Sequence, residues 1–91
     1  MSITPASIPA LRRGVRRQFD ATRSAPVLMA PERVIVLDDI ADAIIAQCDA
    51  RATVAEIAAH LAERFSAPVE QVREDVRLFL QDLVDKGLVV G

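Results

Sequence analysis

The spacing of apolar positions changes character near residue 38. Before that point they come in short runs separated by turn signals. Arg12 to Asp20 mixes Arg, Val and Phe and is followed by Ala21-Thr22-Arg23-Ser24 and Pro26. Val27 to Ala30 is a second run, ended by Pro31-Glu32, and Val34-Ile35-Val36-Leu37 is a third, β-branched and uninterrupted. Three such runs predict a small antiparallel sheet. Arg17 shares the parity of Val15 and Phe19, so the first run does not alternate cleanly, and a bulge is one way to reconcile it. Residues 1–10 carry Pro5 and Pro9 among small polar residues and read as a flexible tail.

From Asp38 onward the period is helical. Asp38 or Asp39 can cap a helix running to about Gln47, with Ile40, Ala43 and Ile44 on one face. Thr53 and Glu56 are spaced as a capping box, in which each side chain satisfies an unpaired N–H of the first turn. Behind it Val54, Ile57, Ala58, Leu61, Ala62 and Phe65 form one stripe. Pro68 suits the start of a third helix. Val69, Val72, Val76, Phe79, Leu80, Leu83 and Val84 continue its stripe until Gly87 ends it, and Leu88-Val89-Val90 is a short apolar tail that could dock as a strand. The order predicts an α+β fold, winged helix-turn-helix-like, with a three-stranded antiparallel sheet followed by three helices. Residues 11–91 form the single domain and residues 1–10 its tail.

Length narrows the function. A chain of 91 residues buries only roughly 60–70% of its unfolded surface, so a deep catalytic cavity would compete with a thin core. Hydrophobic residues make up 52% of the chain and aromatics 3%. No apolar run approaches the ~20 residues of a membrane span, and the N-terminus lacks the pattern of a signal peptide. The cytoplasm is therefore the expected compartment. The only cysteine, Cys48, and the only histidine, His60, cannot build a structural zinc site between them. His60 reads as a solvated residue, Cys48 as a small buried hydrophobe, and Asp38, Asp39 and Asp42 as helix-capping acids rather than a calcium loop. No phosphate loop, nucleophile elbow, metal site or cofactor motif is present, and an enzyme is not expected.

Charge is segregated. Residues 1–33 hold Arg12, Arg13, Arg16, Arg17, Arg23 and Arg33 against Asp20 and Glu32, whereas residues 34–91 hold five basic against eleven acidic groups. The Arg cluster could serve nucleic acid, which makes a nucleic-acid-binding winged helix the alternative function. The third helix argues against it, since Glu70, Glu74, Asp75, Asp82 and Asp85 outnumber Arg73, Arg77 and Lys86 on the surface that would meet phosphates.

The third strand is the informative element. Val34 to Leu37 is apolar on both faces, although a three-stranded sheet on helices buries only one. Such a strand needs cover from the tail or a second copy, or it receives a partner at its edge, where backbone bonds give affinity and pockets give specificity. On this reading the N–H of Ile35 is a ladder donor for the added strand. Leu78 projects away from its helix's stripe and is either a scattered surface residue or part of a second contact.

Several segments, in order, resemble the PqqD family: Leu11-Arg12-Arg13-Gly14-Val15-Arg16, Phe19-Asp20, Ala30-Pro31-Glu32, Leu37-Asp38, Cys48 through Ile57, Asp75-Val76 and Phe79 through Leu83. The resemblance spans about residues 10–89. It implies a peptide chaperone of pyrroloquinoline quinone (PQQ) biosynthesis, the prototype recognition element of ribosomal peptide modification. Such a chaperone binds the precursor peptide PqqA and presents it to the radical SAM enzyme PqqE. It further implies that the peptide adds a strand beside Val34, Ile35, Val36 and Leu37 and packs on one side of the third helix, at Val69, Val72, Arg73, Val76, Phe79 and Leu80. No nucleic acid, membrane, metal or cofactor belongs to this picture, and the protein would be a monomer or homodimer. The chain departs from the family at Arg17, where a hydrophobic residue is frequent, and at Ala50, where Gly is frequent and a left-handed turn would suit it.

Overall fold

A computed structural model describes residues 2–91. The element order is β1 (Ala10–Leu11), β2 (Arg16–Asp20), β3 (Ala25–Ala30), β4 (Arg33–Val36), α1 (Asp39–Ala46), α2 (Val54–Arg64), α3 (Val69–Asp85) and β5 (Val89–Val90). The three predicted strands form one antiparallel sheet in the order β2-β3-β4, and three helices follow. A second, two-stranded sheet pairs β1 with β5 through Ala10↔Val90 and Leu11↔Val89, so the apolar C-terminal tail does dock as a strand.

The β2–β3 hairpin has no bulge: its register runs unbroken from Arg16↔Met29 to Asp20↔Ala25. Arg17 is accommodated differently. It lies opposite the fully buried Leu28, on the face turned to the helices, and its guanidinium makes a two-pronged contact with the Asp42 carboxylate of α1. An ion pair at the margin of the core thus replaces a hydrophobic contact. The hairpin turn is held by Asp20, whose Oδ1 accepts from the Thr22 and Arg23 amides.

Helix ends are satisfied as the sequence predicts. Asp38 caps α1 by accepting from the Ala41 amide. Both bonds of the Thr53–Glu56 capping box form. Gly87 closes α3 with φ +76°, where its amide bonds the Val84 carbonyl and the Leu88 amide bonds the Leu83 carbonyl. That is a Schellman motif, with Leu88 and Leu83 buried together.

Residues 2–9, read from their prolines as a flexible tail, instead lie against the helices. Ile3 is buried and its amide donates to Gln81 Oε1 at 2.7 Å. The carbonyls of Pro5, Ser7 and Pro9 accept from the amides of Ala55, Val54 and Ala50. Two of these acceptors complete the start of α2. Its first two N–H groups go to Ser7 and Pro5, the third to Thr53 Oγ1 and the fourth to the Thr53 carbonyl, so the first turn has no orphan donor. A turn closed by the Ser7 amide on the Thr4 carbonyl shapes the segment, and Pro5 and Pro9 serve it through their carbonyls alone, so their missing N–H groups cost nothing.

The core joins Leu28 and Leu37 to Ala43, Ile44 and Ile45 of α1, to Val54, Ile57, Ala58 and Leu61 of α2, and to Val76, Leu80 and Leu83 of α3, with Ile3 and Val89 from the two ends of the chain. Each large aliphatic side chain there contributes about 1.5–3 kcal/mol by burial.

Ala50 takes φ +64° while its amide bonds Pro9, so the left-handed turn forms even without glycine. A Cβ in this region is strained, and Ala50→Gly is expected to stabilise the protein by about 1 kcal/mol. Thermal unfolding checks this, with an expected rise of roughly 4–8 °C; an unchanged or lower midpoint contradicts it.

Candidate functional site

Strand β4 lies at the edge of the sheet, paired on one side only, through Val27↔Val36, Leu28↔Ile35, Met29↔Val34 and Ala30↔Arg33. Its hydrogen-bonding sense follows from one contact just beyond it, where the Leu37 amide donates to the Pro26 carbonyl at 2.9 Å. In an antiparallel ladder bonded and non-bonded pairs alternate. Leu37, Ile35 and Arg33 therefore turn their N–H and C=O groups toward β3, and Val34 and Val36 turn theirs to the open edge. The expectation for Ile35 changes accordingly: its amide serves the existing ladder, and Val34 and Val36 carry the groups offered to an added strand.

Side chains alternate in the other sense. Ile35 lies opposite Leu28, packs on the core and is half-buried, and Leu37 is buried outright. Val34 and Val36 point to the outer face and are 41% and 55% exposed. The apolar character of the strand on both faces is thus resolved into a packed inner row and an uncovered outer one.

An apolar cleft of about 100 Å³ opens among the three helices. It is walled by Ile40 and Ile44 of α1, Leu61 and Phe65 at the end of α2, and Val72 and Val76 of α3. Gln71 and Asp75 complete it, joined by a 3.0 Å bond from Gln71 Nε2 to Asp75 Oδ1. Ile40 is 54% exposed and Phe65 39%, which is high for such side chains in the first turn and at the end of their helices.

Of the α3 residues proposed from sequence, Val72 and Val76 line this cleft, Val72 half-buried and Val76 buried. Phe79 is half-buried against the core, Val69 is exposed at the first helical position, and Leu80 is fully buried. Arg73 stands apart, in a separate depression with Pro5, Val54, Ala55, Glu70, Glu74 and Arg77. Sequence reasoning missed Phe65, Gln71 and Asp75 and assigned Ile40 to the core. The available signal was that Ile40 and Phe65 stand at the ends of their stripes, where a helix overruns the core it covers.

No chemistry is gathered around the remaining candidates. His60 is exposed, and among the described residues no group of His, Cys, Asp and Glu could hold a metal ion. Cys48 is buried with its thiol 3.3 Å from the Ile44 carbonyl, and burial, with Asp49 nearby, pushes its pKa up to about 12. No helix among the described residues is long and apolar enough to cross a membrane.

The fold is a small α+β domain with an unpaired strand edge at β4 and an apolar cleft among its three helices. Comparison with known proteins places it more closely. Residues 26–89 match the family model for coenzyme PQQ synthesis protein D (PqqD). A PqqA binding protein of Rhizobium meliloti is 48% identical over 89% of this chain and 83% of its own length. One from Bradyrhizobium diazoefficiens is 38% identical over 98% and 86%. In three dimensions the chain is similar to the solution structure of the PqqD truncation of Methylobacterium extorquens PqqCD, described as a functional, stand-alone recognition element for ribosomally synthesized and post-translationally modified peptides. The TM-score is 0.85 at 36% identity, covering 99% of this chain and 96% of that one. The crystal structure of PqqD from Xanthomonas campestris matches with a TM-score of 0.60 at 42% identity, over 96% and 97%. The chain belongs to the PqqD family.

Cys48 is expected to be silent to a thiol reagent such as Ellman's reagent at pH 8 in the folded protein and to react on adding denaturant. Full reaction without denaturant contradicts the buried, protonated thiol.

Proposed function

We propose that this protein is a non-catalytic recognition element of PQQ biosynthesis. It binds the precursor peptide PqqA as a strand added to β4 and presents it to the radical SAM enzyme PqqE. The observation that carries the reading is the open edge of β4, where Val34 and Val36 turn their backbone groups outward. The helices add an apolar cleft between Ile40, Phe65 and Val72. The ladder would supply affinity regardless of sequence, and the cleft would select an apolar side chain of the peptide. PqqA binding is the function named for the relatives, and the recognition-element description of the Methylobacterium domain supports the same use of this fold. The reading places the protein in the cytoplasm, where a ribosomal product is available. It allows a monomer, or a homodimer that leaves β4 open.

Val34→Pro tests the edge directly. Proline is tolerated on an edge strand where the lost N–H faced outward, so the variant folds, but it removes a donor and places a ring against the incoming strand. Calorimetric titration with PqqA is expected to show binding weaker by about tenfold or more, with a thermal midpoint near that of the wild type. Undiminished affinity in the folded variant contradicts strand addition at β4.

A further inference from the structure

The sheet β2-β3-β4 has a second edge, on β2. Arg16 to Asp20 lie along it, and among the described residues no backbone hydrogen bond reaches its outer side. The bonding sense follows from β3. Because Pro26 gives its carbonyl to Leu37, Pro26 and Leu28 serve β4, whereas Ala25, Val27 and Met29 serve β2. Arg16, Gln18 and Asp20 are therefore bonded inward, and Arg17 and Phe19 turn their N–H and C=O groups outward. Phe19 is 65% exposed, more than any other large apolar side chain among the described residues. Beside it a depression of about 360 Å³ is lined by Arg17, Phe19, Pro26, Asp39 and Asp42.

We propose that the outer edge of β2 is the interface for a second copy of this chain, paired antiparallel about a two-fold axis through Gln18. In that register Arg16 faces Asp20 of the second copy, Arg17 faces its Phe19, and Gln18 faces its Gln18. The two Arg17–Phe19 pairs are the hydrogen-bonded ones, so the outward groups of both copies are satisfied. A shift by two residues in one direction would set Arg17 against Arg17. In the other it would run Arg17 into the hairpin turn. Only the register centred on Gln18 pairs all of Arg16 to Asp20.

Charge selects the occupant. Charged residues ordinarily protect a sheet edge from pairing. Here both signs stand symmetrically about Gln18, so a second copy brings opposite charges face to face and an unrelated strand does not. Arg16 has no ion pair among the described residues. Asp20 accepts from the Thr22 and Arg23 amides and from the Arg23 guanidinium, and an ionised carboxylate has room for about four donors. The two-pronged contact with Asp42 fixes the plane of the Arg17 guanidinium, which offers its face to the Phe19 ring of the second copy. That ring then enters the depression beside α1. The product is one continuous sheet, β4-β3-β2-β2-β3-β4, whose two free edges are both β4. Its carrying two peptide sites rests on the strand addition proposed above; the pairing itself does not.

Sedimentation equilibrium from about 10 µM to about 1 mM, a range suited to a small interface, tests the pairing. The wild-type mass is expected to rise from that of one chain to that of two. Phe19→Pro removes an outward N–H and the ring; Phe19 lies opposite Pro26 in a non-bonded pair, so the β2–β3 ladder is kept. Arg16→Glu sets like charges opposite each other. Each is expected to weaken association by at least about tenfold, whereas Val34→Pro, on β4, associates like the wild type. A wild type that stays monomeric, association that survives both β2 variants, or association lost in Val34→Pro overturns the inference. Oxidative cross-linking checks the register. Gln18→Cys brings two Cα atoms to about 4.5 Å across the axis, within disulfide reach, whereas Arg16→Cys leaves them about 14 Å apart along the strands. Covalent dimer is expected from Gln18→Cys alone, Cys48 being buried, and equal cross-linking of the two variants overturns the inference. PqqA that dissociates the wild-type dimer occupies this edge itself and also overturns it. A dimer that binds no PqqA upholds the pairing and overturns the proposed function.

Discussion

The register between β3 and β4 is the constraint on which the rest of the molecule depends. Leu28 sits fully buried in the middle strand, and its pairing with Ile35 puts both on the helix side. Because side chains alternate with period two, that single pairing forces Val34 and Val36 outward. The Leu37–Pro26 bond at the end of the ladder then decides which amides face β3 and which face the open edge. A slip of one residue would bury Val34 and Val36, expose Ile35 and Leu37, and exchange the two sets of backbone groups. The register that holds the sheet on the helices therefore also sets which backbone groups the free edge of β4 presents.

The two ends of the chain hold the helical half together. The segment from Ile3 to Pro9 donates one amide to Gln81 of α3 and lends three carbonyls to α2 and the loop before it, while β1 and β5 join the two ends of the chain. A domain of this length has few apolar side chains to spare. Using backbone acceptors of the N-terminal segment as the cap of α2 leaves that helix's side chains free for the core on one face. It also leaves Phe65 at its end free for the cleft.

Much of this was legible beforehand because the signals were local. The capping box at Thr53 and Glu56, the stop at Gly87 and the stripes of the second and third helices each depend on neighbours within a turn or two. The surplus of apolar residues at Val34 to Leu37 likewise marked the edge strand. What was not legible depends on distant partners. Nothing near Pro5 or Ser7 announces that their carbonyls cap a helix some fifty positions further on. Arg17 breaks the alternation of its strand only until Asp42 is brought to it. Arg73 shares a helix with Val72 and Val76, yet one step around that helix places it in a different depression. Leu80 follows the stripe so closely that it is wholly internal. Periodicity tells an apolar face from a polar one, but it does not divide an apolar face into core and docking surface.

Amide hydrogen exchange along β4, with and without PqqA, is the most direct measurement of the central claim. In the free protein the amides of Arg33 and Ile35, bonded to β3, should exchange slowly, and those of Val34 and Val36, open to water, should exchange fast. Saturation with peptide should slow Val34 and Val36 selectively. Fast exchange at both positions in the saturated complex would show that the peptide binds elsewhere.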